Sequence, residues 1–178
     1  MQDDNLETGL IGGRETRAVE IVHYDPRWPE IFRAHAAVIA KAVGAVAQQI
    51  EHIGSTSVPG LGAKPIVDML LVVPDSADES AYLPQLIDAG YELRVREPEL
   101  NEHRMLRTPG RDMHLHVYSV GSPEIERYFT FRDRLRTSPA DRERYETTKR
   151  MLALREWGDM NDYAEAKTEV IQSILAND

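Results

Sequence analysis

Between Ile66 and Val73 the chain reads Ile-Val-Asp-Met-Leu-Leu-Val-Val, and the one carboxylate in that run, Asp68, constrains the fold more than any other residue. An apolar run of this length, bounded by Pro65 and Pro74, reads as a strand buried on both faces. Such a strand needs cover above and below its sheet. An isolated ionised carboxylate is too costly to bury, so Asp68 must be paired, bound to a metal, or placed where the strand faces a cleft.

The segments around this strand supply that cover. Trp28 to about Val46 carries apolar residues at Trp28, Ile31, Phe32, Val38, Ile39, Ala42 and Val43, which is a helical period with Pro29 in its first turn. His35 falls on the same stripe and reads as a packed core histidine. Short strands are expected at Val19–His23 and Ile50–Ile53, and a weaker helix from about Glu79 to Ala89, with Gly90 just past its end. Tyr91–Arg96, His103–Thr108 and Met113–Val120 are rich in strand formers, and Pro109-Gly110-Arg111-Asp112 joins the last two as a hairpin. Ser122-Pro123 and Ser138-Pro139 each place a capping residue before proline, which opens helices. Asn161 is positioned to cap a last helix reaching about Leu175. The expected class is α+β: a mixed sheet with N-terminal and C-terminal helices packed against it. Residues 1–17, Gly-rich and without a sustained period, read as a flexible leader, and residues 18–178 as a single domain.

Composition narrows the function. The chain has no cysteine, which excludes thiolate metal sites and cysteine nucleophiles. A formal net charge of -9 argues against general nucleic-acid binding. Yet Arg127 to Arg155 holds nine Arg or Lys residues, so a local basic patch for a small phosphorylated ligand is expected. No apolar run approaches the roughly 18 residues of a membrane span, and residues 1–17 lack the basic start and apolar core of a signal peptide. A cytoplasmic location is the expectation, with no membrane partner.

Three sets of residues can carry chemistry. The turn Gly54-Ser55-Thr56-Ser57, with Lys64 behind it, offers backbone amides, hydroxyls and a point charge for phosphate oxygens. It is not a Walker A loop, because no Gly-Lys-Ser/Thr follows at the right spacing. The second set is Asp68 with His114 and His116. Strand residues two apart share a face, so two imidazoles and a carboxylate on adjacent strands would hold a divalent metal. The plainer alternative is one surface histidine and one hydrogen-bonded to Asp68. The third set lies on the C-terminal helices, where Arg132 and Arg136, Tyr145 and Lys149, and Tyr163 and Lys167 form pairs four apart. These read as solvated faces or as the basic border of a cleft.

HIGSTSVPGLGAKPIVDMLLVV from His52, HRMLRTPGRDMHLHVY from His103, FRDRLRTSPADRERYETTKRMLA from Phe131 and YAEAKTEVI from Tyr163 together resemble the GrpB-like family, over roughly Val19 to Ile174. The resemblance implies the nucleotidyltransferase fold and bacterial, nucleotide-related work. Active enzymes of that fold carry Gly-Ser, then an Asp-x-Asp pair on a strand and a third carboxylate on a neighbouring strand, holding two metals that activate the attacking oxygen. Gly54-Ser55 and Asp68 occupy the first positions here. Leu70 stands in place of the second acid, and His114 and His116 occupy the neighbouring strand. The resemblance therefore implies Mg²⁺ or another divalent metal on Asp68, with His116 as second ligand or general base. A nucleoside triphosphate would be held by Ser55, Lys64, Arg104, Arg132 and Lys149, and a small acceptor would receive a nucleotidyl or related group. The alternative is a binding or scaffold module that retains the fold without the second carboxylate.

Overall fold

The computed structural model describes residues 9–16 and 18–176. Five strands form one sheet in the order β1-β2-β5-β4-β3: β1 (Gln49–Ile53), β2 (Val67–Val73), β3 (Glu92–Glu97), β4 (His103–Arg107) and β5 (Met113–Ser119). β2 pairs parallel with β5 and antiparallel with β1, while β4 pairs antiparallel with both β5 and β3. The sheet is therefore mixed, as expected, with the Asp68 strand inside it and the hairpin across residues 108–112 in place.

The two faces of β2 go to different layers because side chains alternate along a strand. Val67, Met69, Leu71 and Val73 face one core with Met113, Leu115 and Val117 of β5. This core is closed by α1 (Trp28–Val43) and α2 (Leu83–Asp88), through Trp28, Ile39 and Leu86. His35 packs on that side, its Nδ1 2.8 Å from the Tyr91 hydroxyl. The alternate residues Leu70 and Val72, with Tyr118 of β5, turn to the other face and meet Ile125 of α3 (Pro123–Thr137). Asp68, His114 and His116 lie on this second face.

Above that face stand α3, α4 (Pro139–Ala153), α5 (Met160–Glu165) and α6 (Thr168–Leu175). A separate core of Val58, Leu61, Leu135, Tyr145, Val170 and Ile174 fastens the segment between β1 and β2 beneath these helices. Ser138 caps α4 by accepting from the Asp141 amide. Asp141 itself pairs with Arg134 at 2.6 Å.

Four expectations need correction. Val19–His23 is not a strand; Val22 alone bridges to Ala63, through both backbone hydrogen bonds, because no partner strand runs beyond that point. Asp159, not Asn161, caps the last helical region: its carboxylate accepts from the Asn161 amide at 2.7 Å. That region is two short helices, α5 and α6, with Lys167 at their junction. Of the expected flexible leader, residues 1–8 and 17 lie outside the described residues. Residues 9–16 lie against the sheet edge: Leu10 bridges to Val95 and is buried, and Glu15 pairs with Arg107 at 3.0 Å. Among the described residues no helix is long and apolar enough to cross a membrane.

Candidate functional site

A cleft of about 470 Å³ opens between the second sheet face and helices α3 to α6. Its floor is Asp68, His114 and His116; its opposite wall is Ser55, Lys149, Tyr163 and Lys167, with Lys64 and Gly54 at the side. The register explains the floor. Asp68 pairs across β2/β5 with His114, and Leu70 pairs with His116, so the carboxylate and both imidazoles share one face.

Asp68 Oδ1 lies 3.5 Å from His114 Nδ1 and 3.7 Å from His116 Nε2, and its side chain keeps 31% exposure to the cleft. Burial would raise the Asp68 carboxyl, but hydrogen bonds and charge from His114 and His116 outweigh it and hold it well below the usual carboxylate range. The carboxylate is therefore ionised at neutral pH.

Behind His116 stands a relay that sequence reasoning missed. Glu97 Oε2 lies 2.7 Å from His103 Nδ1, and His103 Nε2 lies 3.0 Å from His116 Nδ1. The His103 ring stacks on Tyr118 at 4.8 Å. Burial lowers the pKa of His103, which favours the neutral ring. Glu97 accepts the Nδ1 proton of that ring, so Nε2 is left to accept from His116 Nδ1. His116 Nε2 faces the ionised Asp68 oxygen at 3.7 Å. The 3.5–3.7 Å separations are close to the ~3.4 Å between two ligands at ~2.1 Å from a shared tetrahedral metal. A carboxylate-backed imidazole is the usual support of a metal-ligating histidine. Among the described residues, however, no set of three His, Asp or Glu side chains closes on one metal-sized centre. The donor atoms on the floor are those of Asp68 and His116, with His114 adjacent.

The opposite wall is cationic. Lys149, only 2% exposed, donates to Ser55 Oγ at 2.9 Å and to the Gly62 carbonyl. Burial pushes its ammonium down to about 7. Burial, with the like charge of Lys64, pushes Lys167 down to about 8. The Tyr163 ring lies between Lys64 and Lys167, 5.2 and 4.7 Å from its centroid, and its buried hydroxyl has no hydrogen-bond partner.

The structure brings together Gly54, Ser55, Lys64, Asp68, His114, His116, Lys149, Tyr163 and Lys167 of the residues singled out from sequence. Thr56, Ser57, Arg104 and Arg132 do not line the cleft. Thr56 is buried and its hydroxyl lies 2.9 Å from His52 Nε2, on a ring stacked against Phe32. Ser57 donates back to the Gly54 carbonyl at 2.6 Å, and its own carbonyl accepts from Arg136. Arg104 pairs across β4/β5 with Val117, which puts it on the opposite sheet face, where it binds Glu79. Arg132 is tied to Glu51 at 3.1 Å and to the His52 carbonyl. The missed pair had a weak signal: Glu97 meets His103 only because the β3/β4 register pairs them.

This geometry has relatives. The UPF0157 protein BH1888 of Halalkalibacterium halodurans is 47% identical over 97% of this chain and 90% of its own length. The UPF0157 protein SCO7215 of Streptomyces coelicolor is 51% identical over 93% of this chain and 87% of its own. A crystal structure of the conserved protein GrpB from Enterococcus faecalis superposes with a TM-score of 0.76 and 32% identity, covering 88% of this chain and 97% of that one. The GrpB protein family is matched over residues 18–177. With that match and these relatives, the α+β fold rests on nearly the whole sequence, and the chain belongs to the GrpB family.

Proposed function

We propose that the cleft binds a small phosphorylated ligand, with a nucleoside triphosphate as the first candidate, between a cationic wall and the Asp68 floor. The observation that carries this reading is the convergence of Lys149, Lys167 and Lys64 on one cavity with Ser55. Burying ammonium groups is costly, and an anion entering the cleft would offset that cost for Lys149 and Lys167 together. Lys149 and Lys167 would hold phosphate oxygens as point charges, with Ser55 donating a hydroxyl hydrogen bond.

Asp68 and His116 would hold one divalent cation, with His114 beside it. A mixed carboxylate and imidazole donor set suits Mn²⁺ or Zn²⁺ better than Mg²⁺, which favours oxygen ligands. When bound, such an ion would neutralise phosphate charge and polarise the transferred group. The chain's own part is to orient His116 through His103 and Glu97, and to hold the Asp68 oxygen ionised. Transfer of a nucleotidyl or related group to a small acceptor is the activity this arrangement would serve.

One observation favours the second reading, binding without two-metal transfer. Leu70, where a second acid would stand, is 0% exposed and packed among Ile53, Val72 and Tyr118. The position is a core position here, with no room for a charged ligand.

Thermal denaturation with ATP, in Mn²⁺, in Mg²⁺ and in a chelator, separates the two. A shift that needs metal and vanishes in Asp68→Ala supports the metal-dependent reading. A metal-independent shift supports the binding module. No shift with any nucleoside triphosphate would reject both.

A further inference from the structure

Ser55 and Lys149 make a closer unit than phosphate holding requires. Ser55 Oγ is 2.9 Å from Lys149 Nζ, and Ser55 itself is half-buried with its hydroxyl at the cleft. Lys149 Nζ also donates to the Gly62 carbonyl, an atom that can only accept, so one N–H is committed there and the nitrogen is held in place. Gly62 is in turn fixed, its amide donating to Glu146 at 2.8 Å. The Tyr145 ring lies beneath Lys149, 4.8 Å from Nζ to its centroid, and its hydroxyl is hydrogen-bonded to Ser55. Desolvation raises the Tyr145 pKa, and it stays a phenol. Once Lys149 is neutral, its lone pair can accept the serine proton while Tyr145 donates to Ser55 Oγ.

We infer that Ser55 is a nucleophile, with Lys149 as its general base, that takes a phosphorus-centred group from the bound ligand as a covalent seryl ester. This rests on the reading that the cleft accepts a phosphorylated ligand. A nucleophile and base within about 2.6–3.2 Å, with the base oriented by a third group, is the arrangement that activated serines share. Serine–lysine pairs serve this role on unrelated folds.

In the step, the Ser55 Oγ–P bond forms as the bond from phosphorus to the leaving group breaks. The serine proton moves to the neutral Lys149 amine, and the leaving group departs with the bonding pair. Lys149 then returns its proton to the leaving group or to solvent. An acceptor hydroxyl next attacks the seryl ester and gives its proton to Lys149, which passes it to the departing Ser55 oxygen. Lys167 and Lys64 are placed to neutralise the phosphorus oxygens. The charged groups acting on Lys149 are Lys167, Arg150, Glu146 and Asp68, and burial outweighs the two acids, so a neutral amine is available near neutral pH.

The test uses a fluorophosphonate as a phosphorus electrophile whose P–F bond breaks on attack, read by intact mass and peptide mapping of the full chain. The expected result is one adduct on Ser55, absent in Ser55→Ala, forming faster as pH rises through about 7. Lys149→Met is expected to slow labelling at least ~100-fold. Because that variant removes a buried group, the pH profile of the unmodified chain decides on its own. No adduct on Ser55, or an adduct whose rate does not change between pH 6 and 8.5, overturns the inference. Stabilisation by ATP without labelling removes the nucleophile and leaves the binding proposal standing; absence of both removes the two together.

Discussion

The backbone of Gly54 passes directly over Asp68: a β-carbon at Gly54 would sit 2.7 Å from Asp68 Oδ2 and 3.0 Å from its Cβ. Gly54 also has φ of +70°, the left-handed region that side chains resist. The turn that carries Ser55 can therefore reach the cleft only with glycine in front of it. This contact ties the phosphate side of the site to its carboxylate floor.

Gly54→Ala meets both penalties. The left-handed conformation alone costs about 1–2 kcal/mol for a residue with a β-carbon, and the clash falls on the carboxylate. Urea denaturation is expected to show a loss of at least that size. Gly60→Ala is the comparison, because its φ is +80° but nothing stands near its β-carbon. It should lose only the conformational part, so a larger loss at Gly54 measures the approach to Asp68.

Lys149 and Lys167 give stability and anion affinity opposite pH dependences. In the unfolded chain a lysine titrates near 10.4, while burial brings the folded values to about 7 and about 8. Between pH 7 and 10 the unfolded state binds more protons, so stability rises with pH in that window and the gain is lost as pH falls through the folded values. Anion binding depends on the charged form and weakens over the same range. Urea midpoints and ATP titrations at pH 6.5, 7.5, 8.5 and 9.5 are expected to move in opposite directions, and Lys149→Met should flatten the rise in stability.

Much of this was legible from sequence, for identifiable reasons. Asp68 stood out because a lone acid in an apolar strand has few tolerable surroundings, and period-two alternation placed His114 and His116 together. The hairpin and the Ser138 cap were local signals that held, whereas Ser122 makes no capping hydrogen bond and Asp159 took the place of Asn161. What failed was long-range pairing. Whether Arg104 faces the cleft depends on the β4/β5 register, which sets it opposite Val117 and beside Glu79 on the far side. Glu97 and His103 meet through the same kind of register. Thr56 and Ser57 looked like phosphate donors beside Ser55, but the short 3-10 turn Ser55–Ser57 sends only the first hydroxyl to the cleft.

Arg104→Ala therefore acts on stability and not on ligand. Arg104 is 4% exposed, and with Arg96 it brackets Glu79. Removing one partner of a buried pair costs about 3–5 kcal/mol, and the lower end is expected because Glu79 is partly exposed. The fraction that remains folded should bind ATP with unchanged affinity by titration calorimetry.

His103→Gln tests the relay. Outer partners of metal-ligating histidines contribute about 10–100-fold to affinity. Mn²⁺ binding followed by electron paramagnetic resonance should weaken by that factor in His103→Gln and by less in Glu97→Gln, with a native circular dichroism spectrum in both.

The central claim is that one cleft joins a cationic wall to an Asp68 floor around a phosphorylated ligand. Titration of ATP with Mn²⁺ into the unmodified chain, Lys167→Met and Asp68→Asn tests it most directly. The account predicts saturable one-to-one binding, at least ~10-fold weaker in Lys167→Met with or without metal, and metal-independent in Asp68→Asn. Equal affinity in all three proteins, or no binding to the unmodified chain, would contradict it.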